Sequence, residues 1–466
     1  MSNEAKEPRS FEKTRTSETV LHRITALRAP RLLLGLELSL LIFAIAIGVG
    51  AVMIIDLTVK GHLSTELLPA GAIFVAALFA LHIVIRRVAP DADSLIMPIA
   101  AFLNMLGVAM IYRIDLASDL SGWSATSVRQ LVWSAVAVVA AIVVLTVIRN
   151  HLVLFRYTYL TGLAAVILLL LPMLPIVGQE INGARVWIHI GSFSFQPGEI
   201  AKILLAIFFA GYLVQSRDSL AMVGKKILGI RFPRARDLGP LLVFWLAAMS
   251  VLVFQRDLGT SLLYFGLFLS MLYLATGRVG WIVLGVGLFL AGGIFASQTL
   301  DYVGNRFNNW LDPFSDPFGG GHQMVNGLFG LANGGMTGTG LGQGYPELTT
   351  FSQSDYIFAS LGEELGLIGL FVVLASYLLL VGRGLRIGFA GQDDFGKLLA
   401  AGLAFTLALQ VFIVVGGITR VIPLTGLTAP FLAAGGSSLV SNWIIIALLI
   451  LLSGSIRNRP KLVIRT

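Results

Sequence analysis

The run LLLGLELSLLIFAIAIGVGAVMII, from Leu32 to Ile55, carries a single charge, Glu37. A helix of this length rises far enough to cross the ~30 Å of bilayer hydrocarbon. Comparable apolar runs follow at 67–85, 94–112, 130–148, 157–178, 198–215, 238–254, 258–277, 281–298, 355–382, 398–417 and 431–454. The expected fold is therefore an all-α polytopic membrane protein of about twelve transmembrane helices. Only Gln255-Arg256-Asp257 separates 238–254 from 258–277, so one long re-entrant element is an alternative there. The chain has 466 residues, 56% hydrophobic and 12% charged. A soluble surface cannot be built from so few charges, and continuous rather than alternating runs exclude a β-barrel.

The basic residues set the orientation. With the N-terminus inside, 25 of the 33 Lys and Arg fall in cytoplasmic segments and seven in outer ones, and Lys202 sits within a span. This bias places both termini in the cytoplasm. The net charge of +8 is then a topology signal and a contact for anionic membrane lipids. Nucleic-acid binding is not expected, because the tails lack an aromatic-basic platform. Residues 1–30 read as a disordered cytoplasmic tail, 31–93 as two N-terminal helices, 94–456 as the main membrane core and 457–466 as a basic cytoplasmic tail. No signal peptide is expected. There is no cysteine, so disulfides and thiolate sites are excluded. The six His are scattered without metal-ligand spacing.

One segment breaks the series of spans. Residues 299–354 form a long Gly-rich outer loop with one cation, Arg306, and the run DPFSDPFGGGHQ from Asp312 to Gln323. Unstructured loops of this length are uncommon unless they function. Asp312 and Asp316 each precede Pro, which by itself signals only a turn. Gly319-Gly320-Gly321 after Asp316 allows close approach of backbone to a ligand. The run GLFGLANGGMTGTGLGQG, Gly327 to Gly344, supplies backbone donors and reads as a mobile cover over a polar head group. Its embedded apolar residues predict a short amphipathic helix at the interface.

Ionisable side chains within spans are functional candidates by default. Glu199 and Lys202 in FQPGEIAK stand three apart on one helix face. They form either a structural ion pair or an anion site in which Lys202 faces a cavity. Asp257 in QRDLGTSL is either a helix cap or a partner of Arg256 or Lys202. Glu363 and Glu364 in GEELGL open the tenth span, and Glu37 calls for a partner on a neighbouring helix. PLTGLTAPFLAAGGSSLVSNW, Pro423 to Trp443, carries Pro, Gly and hydroxyls into a span. It either lines a cavity or packs closely against other helices.

These motifs, in this order, resemble the SEDS family (shape, elongation, division and sporulation). The resemblance runs from about the third span onward, and the two extra N-terminal spans resemble an actinobacterial subgroup of it. It implies peptidoglycan glycosyltransferase activity on lipid II, in partnership with a class B penicillin-binding protein. It implies that Asp316, rather than Asp312, is the general base. It places the family's cavity Glu and Lys at Glu199 and Lys202 and its membrane-proximal Asp at Asp257. A leaving pyrophosphate needs positive charge, for which Lys202 and the outer arginines Arg185 and Arg306 are candidates, and Asp257, Gln323 and Glu363 are further candidates for binding substrate. The resemblance also implies a low-affinity Mg2+ or Mn2+, with Asp316 and Asp257 as possible ligands. Arg256 departs from the family pattern, which has Pro there, as do His322 for Tyr and Ser354-Asp355-Tyr356 for Thr-Asp-Phe. The rival class is a lipid II flippase, which also shows intramembrane charges and broken helices. A flippase needs a polar path through the whole membrane, whereas the acids here cluster toward the outer half.

Overall fold

The computed structural model describes residues 30–457 apart from 176, 182, 191–192 and most of 222–252. The tails at 1–30 and 457–466 and the span expected at 238–254 fall almost wholly outside the described residues. Among the described residues, ten helices are long and apolar enough to cross a membrane. They include α1 (Pro30–Val59), α2 (Leu68–Val88), α3 (Ile96–Ala117) and α4 (Thr126–Val147). After a helical turn at Leu152–Arg156 comes α5 (Thr158–Leu170), which is shorter. The series continues with α6 (Pro197–Ala221), α7 (Leu258–Thr276) and α8 (Val279–Thr299). Two short helices, α9 (Asp301–Leu311) and α10 (His322–Gly334), precede α11 (Ile357–Ala390), α12 (Asp394–Ile418) and α13 (Gly436–Arg457).

Burial sorts these helices. α3, α6, α12 and α13 are mostly buried, whereas α1 and α2 turn large apolar side chains such as Phe43 and Ile73 outward. Hydrocarbon is the solvent that such faces require. Inside, polar groups are paired and small residues bring backbones together. Asn104 donates to Ser134 Oγ at 3.0 Å and accepts from Trp443 Nε1 at 3.1 Å. Gly107 of α3 lies so close to the Leu432 carbonyl that any Cβ would overlap it. α1 packs on α3 and α2 on α4. Glu37 finds its partners on α2, His82 Nδ1 at 2.9 Å and Arg86 at 3.2 Å.

Two expectations are corrected. The span expected at 157–178 stops short, because Pro172 closes the helix in a 3-10 turn. The chain then forms an antiparallel sheet of β1 (Gly178–Ile181), β2 (Ala184–Ile190) and β3 (Phe193–Phe195), in that order. Strict alternation in β2 buries Val186 and Ile188 on one face. The second correction concerns the 299–354 loop, which is largely ordered. α10 is the expected amphipathic helix, and it packs on α11. Gly335–Gly344 is not a loose cover. It threads into a break in α11 at Gly366, where φ is +68°. There Thr339 N donates to the Glu363 carbonyl at 2.9 Å and Gly340 N to the Glu364 carbonyl at 3.0 Å. Leu367 N and Ile368 N in turn donate to the Gly335 and Met336 carbonyls. Arg113 of α3 closes the clamp on Glu364 Oε1 at 2.9 Å and the Gly344 carbonyl at 2.6 Å.

Candidate functional site

A cavity of about 480 Å3 lies where α6 and α7 begin. Its walls also come from β2, α9, the loop before α10 and the irregular stretch before α13. That stretch holds the broken-helix motif of the sequence. Its buried backbone is satisfied by side chains, Gln410 Nε2 donating to the Thr428 carbonyl at 2.9 Å and Gln130 Nε2 to the Ala433 carbonyl at 3.0 Å. The motif therefore both lines a cavity and packs closely, which removes the choice between those readings.

The charges in its walls come from the starts of α6, α7 and α11 and from α9. Pro197 opens α6, so Glu199 sits in its first turn, where the helix dipole favours a carboxylate. Glu199 is buried and accepts from Lys202 Nζ at 2.6 Å and Ser441 Oγ at 2.7 Å. Lys202 also donates to Gln410 Oε1 at 3.1 Å and Asn442 Oδ1 at 3.2 Å. All three ammonium protons are thus engaged. Lys202 is 1% exposed and stands behind the cavity wall, where it fixes Glu199 rather than meeting a ligand.

Asp257 caps α7, accepting from Thr260 N at 3.1 Å. It is half-buried and faces the cavity. Burial pushes its carboxyl up, while the Thr260 hydrogen bonds and the nearby Arg306 pull it down. Arg306 of α9 is anchored by the Leu424 and Thr425 carbonyls at 3.1 and 2.9 Å. Asp355, just before α11, is pushed up to about 6 by burial, against the opposing pull of Arg306 and Ser354. Arg256 lines the same cavity with a backbone φ of +60°, an uncommon conformation for a residue with a side chain. Its guanidinium lies over the Tyr302 ring, 6.0 Å from the centroid.

The other candidates disperse. Gln323 lines the cavity. Asp316 is exposed at its rim, and its Oδ2 accepts from Gly320 N at 2.7 Å, Gly320 itself being a wall residue. A Cβ on Gly319 would overlap the Asp316 carboxylate, so a side chain there would displace that carboxylate from its present position. Glu363 is not in the cavity. It accepts from Asn333 Nδ2 and Tyr345 N, both at 3.0 Å, and so belongs to the clamp on α11. Arg185 is exposed, paired with Glu180 at 3.1 Å, and lines a neighbouring cavity. Asp355 and Arg256 are the site residues that motif reading did not select. Their signal was a charge directly flanking a span. The β2 wall was signalled by the alternation of ARVWIHI. Among the described residues no three His, Asp or Glu converge to hold a metal ion. Asp316 and Asp257 in particular are held by different local partners.

The family model described as "Cell cycle protein", covering FtsW, RodA and SpoVE, matches residues 93–458. The peptidoglycan glycosyltransferase RodA of Mycobacterium tuberculosis is 45% identical over 432 residues, 91% of this chain and 92% of that protein. Stage V sporulation protein E of Bacillus subtilis is 33% identical over 74% of this chain and 93% of its own length. A solved peptidoglycan synthase complex, described as coordinating polymerization and crosslinking, contains a chain that superposes with a TM-score of 0.63. That chain is 26% identical, and the match covers 79% of this chain and 99% of that one.

Proposed function

The chain belongs to the FtsW/RodA/SpoVE family, the SEDS family, and on that premise we propose that it polymerises lipid II into glycan strands for cell elongation and shape. It is a multi-pass membrane protein and a peptidoglycan glycosyltransferase. The proposal adds that both termini are cytoplasmic, that the cavity opens on the extracytoplasmic face, and that a class B penicillin-binding protein cross-links the product. The observation that carries it is the cavity itself. It holds an anchored arginine, Arg306, beside the half-buried Asp257 and Asp355 and the buried Glu199, with Asp316 on the loop at its rim.

In the proposed reaction Asp316 takes the proton from the 4-hydroxyl of the acceptor GlcNAc. The freed oxygen attacks C1 of the donor MurNAc, and the bond from C1 to the pyrophosphate breaks with its electron pair on the leaving group. Attack from the face opposite an α-linked pyrophosphate gives a β-1,4 bond. General-base help of this kind typically contributes about 10²–10⁴-fold. Arg306 stabilises the charge on the departing undecaprenyl pyrophosphate, and its two carbonyl anchors pre-orient it for that task. Asp257 and Asp355 line the same wall near Arg306, whose charge opposes the rise that burial imposes on their carboxyls. A Mg2+ or Mn2+ ion remains part of the proposal. The described residues form no preformed cage for it, so no step here is routed through a metal.

The test is reconstitution of the full chain with a class B penicillin-binding protein and lipid II. Glycan polymer is the expected product. Transfer of labelled lipid II between leaflets without polymer would replace the polymerase with a flippase.

A further inference from the structure

The proposed reaction needs two lipid-linked pyrophosphates, and the cavity just described offers one anchored arginine. A second cavity of about 330 Å3 adjoins it and shares Arg256 as a common wall. Arg185 and Arg256 supply its cations, while Met173 and Phe254 give it an apolar side. Glu180, in the same lining, accepts from Arg185 Nε at 3.1 Å and would give way to a more highly charged anion. The two arginines come from different elements and are held together by backbone. Arg185 N donates to the Gln255 carbonyl at 3.1 Å, which ties the start of β2 to the segment before α7. Cations beside an apolar wall suit a phosphorylated amphiphile. Arg256 itself is held in the left-handed region, a strained conformation that tends to occur at ligand sites. Beside it, the buried Tyr302 hydroxyl has no hydrogen-bond partner among the described residues.

The helix α9 relates this second cavity to Asp316. Tyr302, Arg306 and Asn309 recur at i, i+4 and i+7, on one face of that helix. Tyr302 meets Arg256 at one end. Asn309 Nδ2 meets the Gly320 carbonyl at 2.8 Å at the other, beside the backbone N–H that holds Asp316. Seven residues of α-helix rise roughly 10 Å, about the length of a disaccharide. The donor must place its anomeric carbon, and hence its pyrophosphate, beside the reacting centre. The acceptor instead presents a hydroxyl on the far side of its disaccharide from its own pyrophosphate.

The geometry points to the Arg185–Arg256 cavity as the pyrophosphate subsite of the acceptor lipid, with α9 spacing it from Asp316 by one disaccharide. This rests on the glycosyltransferase reading. Arg306 then serves the donor, and Arg185, outside the main cavity, serves the acceptor alone. The experiment uses the full chain reconstituted with its penicillin-binding protein. Arg185→Ala is expected to raise the half-saturating lipid II concentration about tenfold, as for one lost charge-assisted contact, with the saturating rate unchanged. Arg185→Lys should restore most of the affinity. On the full chain alone, undecaprenyl pyrophosphate should bind about tenfold more weakly to Arg185→Ala than to wild type. An unchanged half-saturation for Arg185→Ala overturns the subsite. So does equal displacement of undecaprenyl pyrophosphate by phosphatidylglycerol, which would make this a general phospholipid contact. If wild type makes no polymer but Arg185-dependent pyrophosphate binding persists, the polymerase reading fails and the anion site stands.

Discussion

Two glycine runs in the 299–354 segment have similar composition and opposite circumstances. Gly319–Gly321 bends an exposed turn around the Asp316 carboxylate. Gly335–Gly344 is threaded into the break in α11 and held by backbone bonds on both sides. Glycine serves both ends because it lacks a Cβ. At Gly319 the vacant space is filled by the Asp316 carboxylate, and at Gly338 by the Glu364 backbone. The difference separates a chemical role from a structural one within a single loop. It also explains why Glu363 and Glu364, so close to the loop in space, belong to the clamp and not to the cavity.

The largest expected effect tests the first run. Asp316→Asn should lower polymerisation by about 10²–10⁴-fold while leaving the thermal midpoint in detergent unchanged. Asp312→Asn should stay within about 0.5 kcal/mol of wild type in stability, with normal activity. Polymer made by Asp316→Asn at the wild-type rate would remove the chemical role of the exposed turn.

The next effect tests the second run. Gly338 has φ +83°, and a Cβ there would overlap the Glu364 carbonyl. Gly338→Ala combines a left-handed backbone penalty with a displaced clamp, and should cost about 3 kcal/mol or more. At Gly320 the Cβ would stand 3.0 Å from Asn309 Oδ1, a side chain able to move. Gly320→Ala should cost less than about 1 kcal/mol and act on rate instead. Thermal scans of the two variants decide the matter, and equal midpoints would erase the distinction drawn here.

A smaller effect than those of Asp316→Asn and Gly338→Ala lies where the segment rejoins the bundle. Burial raises Asp355 to about 6, above its unfolded value. Its folded form therefore binds an extra proton in the window between about 4 and 6. The stability this proton contributes is full below the unfolded pKa and is lost as pH rises through about 6. Asp355→Asn should consequently gain on wild type between pH 4 and 7, by roughly 1–2 kcal/mol once the solvated cavity face is allowed for. A midpoint difference that does not change with pH would mean that Asp355 is not desolvated.

Much of this was legible in order of amino acids. Hydrophobic run length sets the membrane class, since ~30 Å of hydrocarbon admits few alternatives. Pro197 and Asp257 announced helix starts, because their capping chemistry is local. The choice of Asp316 over Asp312 came from motif resemblance, since two Asp-Pro turns are equivalent by local chemistry. Other features depend on contacts between residues far apart in the chain. Lys202 could have faced a cavity or a core, and only Gln410 and Asn442, more than two hundred positions away, turn it inward. Arg185 and Arg256 share a wall because a backbone bond joins β2 to the start of α7. Gly335–Gly344 reads as a flexible cover until the break in α11 supplies its partners. Sequence alone determined which segments enter the membrane, where burial energy is a sum over neighbouring residues. Tertiary structure decided which charges meet, because a buried charge is defined by the partners that replace its water.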